Sequence, residues 1–291
     1  MCAKKKMIYD SDEWLLAYKD AIDKRHEMIA QTRDRLSVDG SLAKAMNNHI
    51  YYGLHRNEKG SWIFREWAPN ATKIYIIGEF NNWKRTEAYA LRPIGGGNWE
   101  IELPSMFLDH GTLYKLYIEW KGGGAERLPA YLTRAVQDPV TKTFCAQVWD
   151  PATKYEWKNA APGKRPHPLI YECHIGMAAE EEKVGTFEEF RLNVLPKVAE
   201  LGYDTLQIMA LQEHPYYGSF GYQVANFYAL SSRFGTPEEF KALVDDAHGM
   251  GIAVVMDIVH SHSVDNEAEG LGLFDGTKTL YFYDGWQGHH P

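Results

Sequence analysis

From residue 169 onward the sequence alternates short apolar runs with amphipathic ones, and this rhythm limits the possible folds more than any other feature. Leu169–His174 reads as a strand. Thr186-Phe187-Glu188-Glu189 is a capping box, in which a threonine and the glutamate three residues on satisfy each other's backbone N–H groups. It opens a helical stretch to Gly202, with a break at Pro196. Thr205–Leu211 reads as a second strand. Thr236-Pro237-Glu238-Glu239 joins another capping box to a first-turn proline, so a helix continues to His248, where Gly249 and Gly251 end it. Ile252–Val259 reads as a third strand, parallel to the others and buried. Strands alternating with helices imply a parallel sheet, open or closed into a barrel. A complete barrel needs eight such units in about 250 residues. Residues 169–291 hold three, so the expectation is the first part of a (β/α)8 barrel, truncated at Pro291.

Between 46 and 158 the rhythm is that of short strands. Ile50–His55, Ser61–Trp67, Lys73–Gly78, Trp99–Leu103, Leu113–Trp120 and Thr143–Trp149 are separated by turn formers such as Asn57-Glu58-Lys59-Gly60, Gly95-Gly96-Gly97 and Gly122-Gly123-Gly124. This spacing predicts an all-β, immunoglobulin-like sandwich. Seven of the nine tryptophans (Trp62, Trp67, Trp83, Trp99, Trp120, Trp149 and Trp157) fall in this region, and most are expected to fill its core. Residues 1–45 form a helical segment. Leu15, Tyr18, Ile22, Ile29 and Leu36 put apolar side chains on one face of a helix over 11–36, capped by Ser11 or Asp12 and followed by Gly40, which reads as a strap. The proline-rich stretch 159–168 reads as a linker.

Composition removes several classes of function. A net charge of −8 argues against a general nucleic-acid or anionic-membrane binder. No apolar run reaches the roughly 18 to 20 residues of a membrane span. Met1-Cys2-Ala3-Lys4-Lys5-Lys6 has no apolar segment behind it, so it is not expected to be a secretory signal. Cys2, Cys145 and Cys173 are scattered and odd in number, which fits free thiols in a reducing, cytoplasmic setting.

Ligands of parallel-stranded folds sit at the carboxyl ends of the strands. There the third strand runs into Asp257-Ile258-Val259-His260-Ser261-His262. A lone carboxylate among Ala, Val, Ile and Met is costly unless hydrogen bonds or a cation compensate it. Asp257 and His262 can converge only if the chain leaves the strand near Val259. His-x-His at a strand end also supplies metal ligands in some hydrolase barrels, but no matching Asp, Glu or His pair appears upstream, so no metal is expected. The second strand leads into His214-Pro215-Tyr216-Tyr217-Gly218-Ser219-Phe220-Gly221-Tyr222-Gln223-Val224. Aromatic rings on such a loop suit the apolar face of a sugar, and equally suit a loop packed by its own side chains.

Gly221-Tyr222-Gln223, Ser231-Ser232-Arg233-Phe234-Gly235-Thr236-Pro237, Ala247-His248-Gly249-Met250-Gly251 and Asp257–His262 together resemble the alpha-amylase superfamily, glycoside hydrolase family 13, most closely its glucan-branching members. Ser261 stands where the superfamily signature usually has asparagine. Glu66-Trp67-Ala68-Pro69 and Gly78-Glu79-Phe80-Asn81-Asn82-Trp83 resemble the family 48 carbohydrate-binding module. Tyr171-Glu172-Cys173-His174-Ile175-Gly176 is similar to the opening barrel strand. The resemblance implies cleavage of an alpha-1,4 bond and transfer of the chain to a 6-hydroxyl by retaining chemistry, with an alpha-glucan as partner and no cofactor. It places the nucleophile and acid/base after later strands, so no catalytic residue is expected in this chain and the chain alone is expected to be inactive. Tyr222 resembles the tyrosine beneath the donor-side sugar, His262 the histidine that bonds its hydroxyls, and Asp257 an aspartate that organises neighbouring charges. Trp67 and Pro69 resemble positions where the module meets oligosaccharide, with Trp83 a weaker candidate. A glycan-binding module without catalysis, or a debranching or hydrolytic member of the superfamily, remains as an alternative.

Overall fold

The computed structural model describes residues 6–284 and the backbone of 289–290. Cys2 and the lysine run at the start lie largely outside them. Contacts divide the chain into two units, one up to Tyr51 and one from Tyr52 on. In the first, the Asp12 side chain accepts from the Trp14 N–H, capping a 3-10 turn over Glu13–Tyr18 that runs into α1 (Lys19–Leu36). The helical stretch expected over 11–36 therefore starts in the tighter form. α1 buries none of its residues, and Tyr18, Ile29 and Leu36 of the expected apolar face are exposed. Two short helices follow, α2 (Leu42–Ala45) and α3 (Asn48–Tyr51), so Ile50 is helical and does not open a strand.

The second unit begins with nine strands: β1 (Gly53–Arg56), β2 (Trp62–Trp67), β3 (Ala71–Gly78), β4 (Arg92–Gly95), β5 (Asn98–Leu103), β6 (Leu113–Trp120), β7 (Gly123–Arg127), β8 (Ala135–Gln137) and β9 (Phe144–Gln147). They form two antiparallel sheets, one ordered β1-β2-β5-β4 and the other β3-β6-β9-β8 with β7 also paired to β6. Alternation directs Trp62, Phe64 and Glu66 of β2 inward, against Ile74, Ile76, Leu116 and Ile118 of the other sheet. Three strands depart from expectation. β4 is exposed throughout, β7 pairs with β6 through Gly123 and Gly124, and β8 is only three residues long. Glycine-rich or polar edge segments of this kind carry no inward apolar pattern to read.

The tryptophans also depart. Among the seven, only Trp62 and Trp99 are buried, whereas Trp83 and Trp157 are exposed. An indole N–H needs an acceptor when buried. Trp62 donates to the Leu108 carbonyl (2.8 Å) and Trp99 to that of Ala68 (3.0 Å). Aliphatic side chains and phenylalanine fill most of the remaining core.

The barrel part comprises β10 (Ile170–Cys173), α4 (Phe187–Asn193), α5 (Leu195–Glu200), β11 (Thr205–Ile208), β12 (Gln212–Glu213), β13 (Asn226–Leu230), α6 (Pro237–Gly249), β14 (Ala253–Met256), β15 (Ser263–Val264) and β16 (His289–His290). β10, β11 and β14 form a parallel sheet in that order, with Cys173, Ile208 and Met256 in register at its carboxyl end. Both capping boxes form, at Thr186/Glu189 and Thr236/Glu239. Phe187, Phe190, Leu195, Val198, Leu243 and Ala247 pack with Leu206 and Ile208. The helical stretch breaks as expected, two residues before Pro196. The interruption is at Val194, and Pro196 sits in the first turn of α5, where its missing N–H has no intrahelical partner to lose.

Two strand expectations are corrected. The second strand ends at Ile208, and Gln212–Glu213 pair separately and antiparallel with β13. The third ends at Met256 and is not buried, since Val255 and Met256 are 45% and 40% exposed. β14 is the outer strand of the described sheet, so its apolar composition, which a two-sided core would explain equally well, does not measure its burial.

The sandwich is tied to the barrel part by hydrogen bonds to loop carbonyls and carboxylates. Asn70 donates from its backbone N–H to Asp275 Oδ2 (3.0 Å) and from its side chain to the Asp275 carbonyl (2.8 Å). Arg134 Nη1 reaches the Gly235 carbonyl (2.9 Å) and Arg127 Nη2 that of Leu273 (3.1 Å). The segment entering 159–168 is pinned as well, with Asp245 of α6 accepting from Tyr155 Oη and the backbone N–H groups of Lys158 and Asn159. Burial alone would raise the Asp245 carboxyl, but these donors outweigh it and hold it below the usual carboxylate range.

Candidate functional site

After β11 the chain turns through Ala210, whose φ is +35° although it is fully buried, and enters β12. The excursion between β12 and β13 carries the aromatic loop. A 3-10 turn over Tyr217–Ser219 ends at Phe220 in the left-handed region, and Gly221 follows at φ +88°. A Cβ on Gly221 would lie 2.2 Å from the Ala210 carbonyl oxygen, so only glycine fits here, immediately before Tyr222. The His174 ring, at the end of β10, meets Phe220 edge-on at 5.7 Å and supports the loop from below. Burial pushes the His174 imidazole below its ordinary pKa, which favours the neutral ring.

At the end of β14 the Asp257 N–H still donates to the Ile208 carbonyl (3.0 Å), but the Val259 N–H turns to Gln212 Oε1 (2.9 Å). Gln212 thereby pulls the chain out of the sheet, and this lets Asp257 and His262 converge. Tyr222 lies between them. Its hydroxyl donates to Asp257 Oδ2 at 3.0 Å, and its carbonyl is 2.7 Å from His262 Nε2. A carbonyl can only accept, so Nε2 carries the proton. In the neutral ring Nδ1 is then left to accept from the Ser261 hydroxyl at 3.0 Å. Burial first, and then the bond to Asp257, raise the Tyr222 phenol above its usual pKa, so it stays a donor at neutral pH. Asp257 is half-buried, and Tyr222 rather than an enclosing core compensates it. His260 is exposed, and its Nδ1 lies 3.3 Å from the Ile258 carbonyl. Among the described residues no cluster of three or more His, Cys, Asp or Glu side chains could hold a metal ion. Cys145 and Cys173 carry free thiols.

On the module, Trp67 and Pro69 lie side by side. Gly97, at φ +79°, fits against both, its would-be Cβ 2.7 Å from Pro69 Cβ and 3.1 Å from Trp67 Nε1. Trp67 Nε1 donates to the Gly96 carbonyl (3.1 Å), which fixes the indole, while Pro69 is exposed. Trp83 is separate. It follows β3 on the other sheet, 39% exposed and at φ +59°.

Two residues of this region act through partners that the motifs do not mark. Gln212 is marked only by being polar directly after an apolar strand. Glu66 lies inside the module motif yet is fully buried, accepting from the backbone N–H of Trp67 and of Ala130, each at 2.9 Å. Desolvation outweighs those two bonds and raises its carboxyl to about 7.

Residues 51–139 match the carbohydrate-binding module 48 (isoamylase N-terminal domain) family, and residues 192–270 match the alpha-amylase catalytic domain family. The 1,4-alpha-glucan-branching enzyme of Yarrowia lipolytica is 41% identical over 96% of this chain and 42% of its own length. That of Dictyostelium discoideum is 41% identical over 98% of this chain and 43% of its own length.

Over nearly its whole length the chain is similar to 1,4-alpha-glucan-branching enzymes.

It spans about 42% of the length of the curated relatives it matches. A pullulanase from Bacillus acidopullulyticus, at 18% identity, shares the fold with a TM-score of 0.63 over 80% of this chain and 32% of its own. The fold expected from the sequence, a helical segment and β-sandwich followed by the opening of a parallel barrel, is the one found.

Proposed function

We propose that this chain carries the donor-sugar grip and the glycan-binding module of a 1,4-alpha-glucan branching system. The observation that carries the proposal is the convergence of Tyr222, Asp257 and His262 at the carboxyl ends of β11 and β14. The Tyr222 ring offers a stacking face beside the Asp257 carboxyl group, and the His262 imidazole can exchange its bond to the Ser261 hydroxyl for one to a sugar hydroxyl. Branching enzymes act by retaining transfer, in which a nucleophile and an acid/base stand about 5 to 5.5 Å apart across the cleaved bond. Tyr222, Asp257 and His262 are assigned positioning and charge arrangement, with no proton transfer. The nucleophile and acid/base are assigned to no residue of this chain. The substrate is an alpha-glucan and the setting cytoplasmic, and among the described residues no helix is long and apolar enough to cross a membrane.

The test is direct. Incubated with amylose, the 291-residue chain is expected to leave the iodine colour unchanged, and a shift in colour would contradict the assignment of the reactive carboxylates. The half-buried Trp67 beside the exposed Pro69 favours glycan binding in its own right. Retarded migration in a glycogen-containing native gel would support this, and an unchanged mobility would count against it.

A further inference from the structure

The excursion that carries Tyr222 leaves β12 at Glu213 and returns at β13. Its exit is tied by short bonds. The Ala225 N–H donates to the Glu213 carbonyl (2.9 Å), and the Val224 carbonyl accepts from the Val264 N–H and the Ser263 hydroxyl, each at 3.0 Å. At the entry the chain passes through Pro215, which has no N–H to give. There the carbonyls of His214 and Pro215 both go to one side chain, Arg233. Nη1 donates to the first and Nη2 to the second, the latter at 2.6 Å. A planar guanidinium presents its N–H groups as a fixed fork, so it can hold two consecutive carbonyls in one geometry. An ammonium is a point charge on a flexible stem.

Arg233 lies in the turn after β13, and its guanidinium sits over the Phe144 ring of β9, 5.9 Å from the centroid. Its countercharge is the fully buried Glu213, whose Oε1 is 3.7 Å from Nη1. The same carboxylate accepts from the His214 N–H and the Ser231 hydroxyl, each at 3.1 Å, and from the Ser232 N–H at 2.7 Å. Burial pushes the Glu213 carboxyl up, and these donors act with Arg233 against that rise. Glu213 and Arg233 thus bind the start of the excursion to the turn at 231–233.

We infer that Arg233 is a positioning residue for the sugar grip: its fork, balanced by Glu213, fixes the entry of the aromatic loop and through it the place of Tyr222 between Asp257 and His262. The sugar part of this inference rests on the glucan reading given above. It adds which side chain holds the ring in place before sugar arrives. A loop ordered in advance does not lose that freedom again on binding, so a weakened clasp shows as lost affinity even where the chain stays folded.

Arg233→Lys in the 291-residue chain tests it, because lysine keeps the charge opposite Glu213 but not the fork. Arg191→Lys is the comparison. Arg191 of α4 is about as buried, its side chain 22% exposed against 19%, and it pairs with Glu188 and with Asp246 of α6. The His262 Nε2–H, which donates to the Tyr222 carbonyl, gives a nitrogen resonance in chain made with isotope-labelled histidine, identified by its loss in His262→Asn. Well below the melting temperature, Arg233→Lys is expected to shift or broaden that resonance and to weaken maltoheptaose binding about fivefold, the order of one loop contact reordered on binding. Arg191→Lys is expected to lower the melting temperature and to leave both unchanged. If Arg233→Lys lowers only the melting temperature, the inference is overturned and the glucan reading stands. Equal changes in the two variants mean general loosening, and this also overturns it. A parent chain that binds no maltoheptaose removes the glucan reading, while the resonance still decides whether Arg233 sets the loop. Should Arg233→Lys fail to fold, Glu213→Gln, which leaves the guanidinium and removes its countercharge, is expected to move the same resonance, and an unmoved one overturns the inference.

Discussion

The Tyr222 hydroxyl donates to the Asp257 carboxylate across 3.0 Å although the two residues are 35 positions apart, and the same tyrosine bonds His262 through its carbonyl. One loop residue thus fixes the charge and the imidazole of the grip together. Tyr222→Phe keeps the ring and removes the donor, so it should cost about 1 kcal/mol of stability and leave stacking largely intact. Tyr222→Ala should also lose the ring and weaken maltoheptaose binding about tenfold or more. Urea melts and titration calorimetry on both variants check this. Equal binding losses in the two would mean that the hydroxyl, not the ring, holds sugar.

Gly221 sets the position of that tyrosine. Its φ of +88° and the Ala210 oxygen at 2.2 Å from a would-be Cβ make Gly221→Ala strained both in backbone and in contact. The expected cost is about 2 kcal/mol or more, with maltoheptaose affinity falling as Tyr222 moves. A melting temperature and affinity equal to the parent's would show the loop to be looser than described.

Glu66 makes stability depend on pH in an uncommon direction for a carboxylate. Burial raises its folded pKa to about 7 from the ordinary 4.5, so the folded state holds the proton more tightly than the unfolded one. The contribution is complete below about pH 4.5 and is lost as pH rises through 7, a change on the order of 3 kcal/mol. Glu66→Gln removes this titration. Urea melts between pH 4.5 and 8 should show the parent losing stability relative to the variant on the alkaline side, and parallel curves would contradict it.

The module offers two aromatic candidates in different settings. Trp67 is locked beside Pro69 and Gly97, whereas Trp83 hangs from a left-handed turn. Trp67→Ala should abolish most of the retardation in a glycogen-containing native gel, and Trp83→Ala should remove little. The reverse ranking would move the glycan contact to the other sheet.

Much of this architecture was legible because local chemistry and global fold agree. The threonine–glutamate boxes at 186 and 236 cap helices as expected, and β2, β5 and β6 follow their period-two patterns. The break near Pro196 was legible too, although it falls at Val194, because a proline can neither bond nor fit against the preceding turn of a helix. The exposure of Val255 and Met256 was not legible at all, since an apolar run records what a strand is made of and not what covers it. In the site, Tyr222, Asp257 and His262 were named from motifs, but the agent that brings them together, Gln212 taking the Val259 N–H, acts across 47 positions. Glu66 was named only within a motif, and its bond to the Ala130 N–H was not legible for the same reason, as that partner lies 64 positions away.

The most direct test of the whole reading is a crystal structure of the chain with maltotetraose. The expected result is a glucosyl ring lying on the Tyr222 phenol, with its hydroxyls within hydrogen-bonding reach of His262 and Asp257. Sugar bound on the Trp67–Pro69 face alone, with Tyr222, Asp257 and His262 untouched, would contradict it.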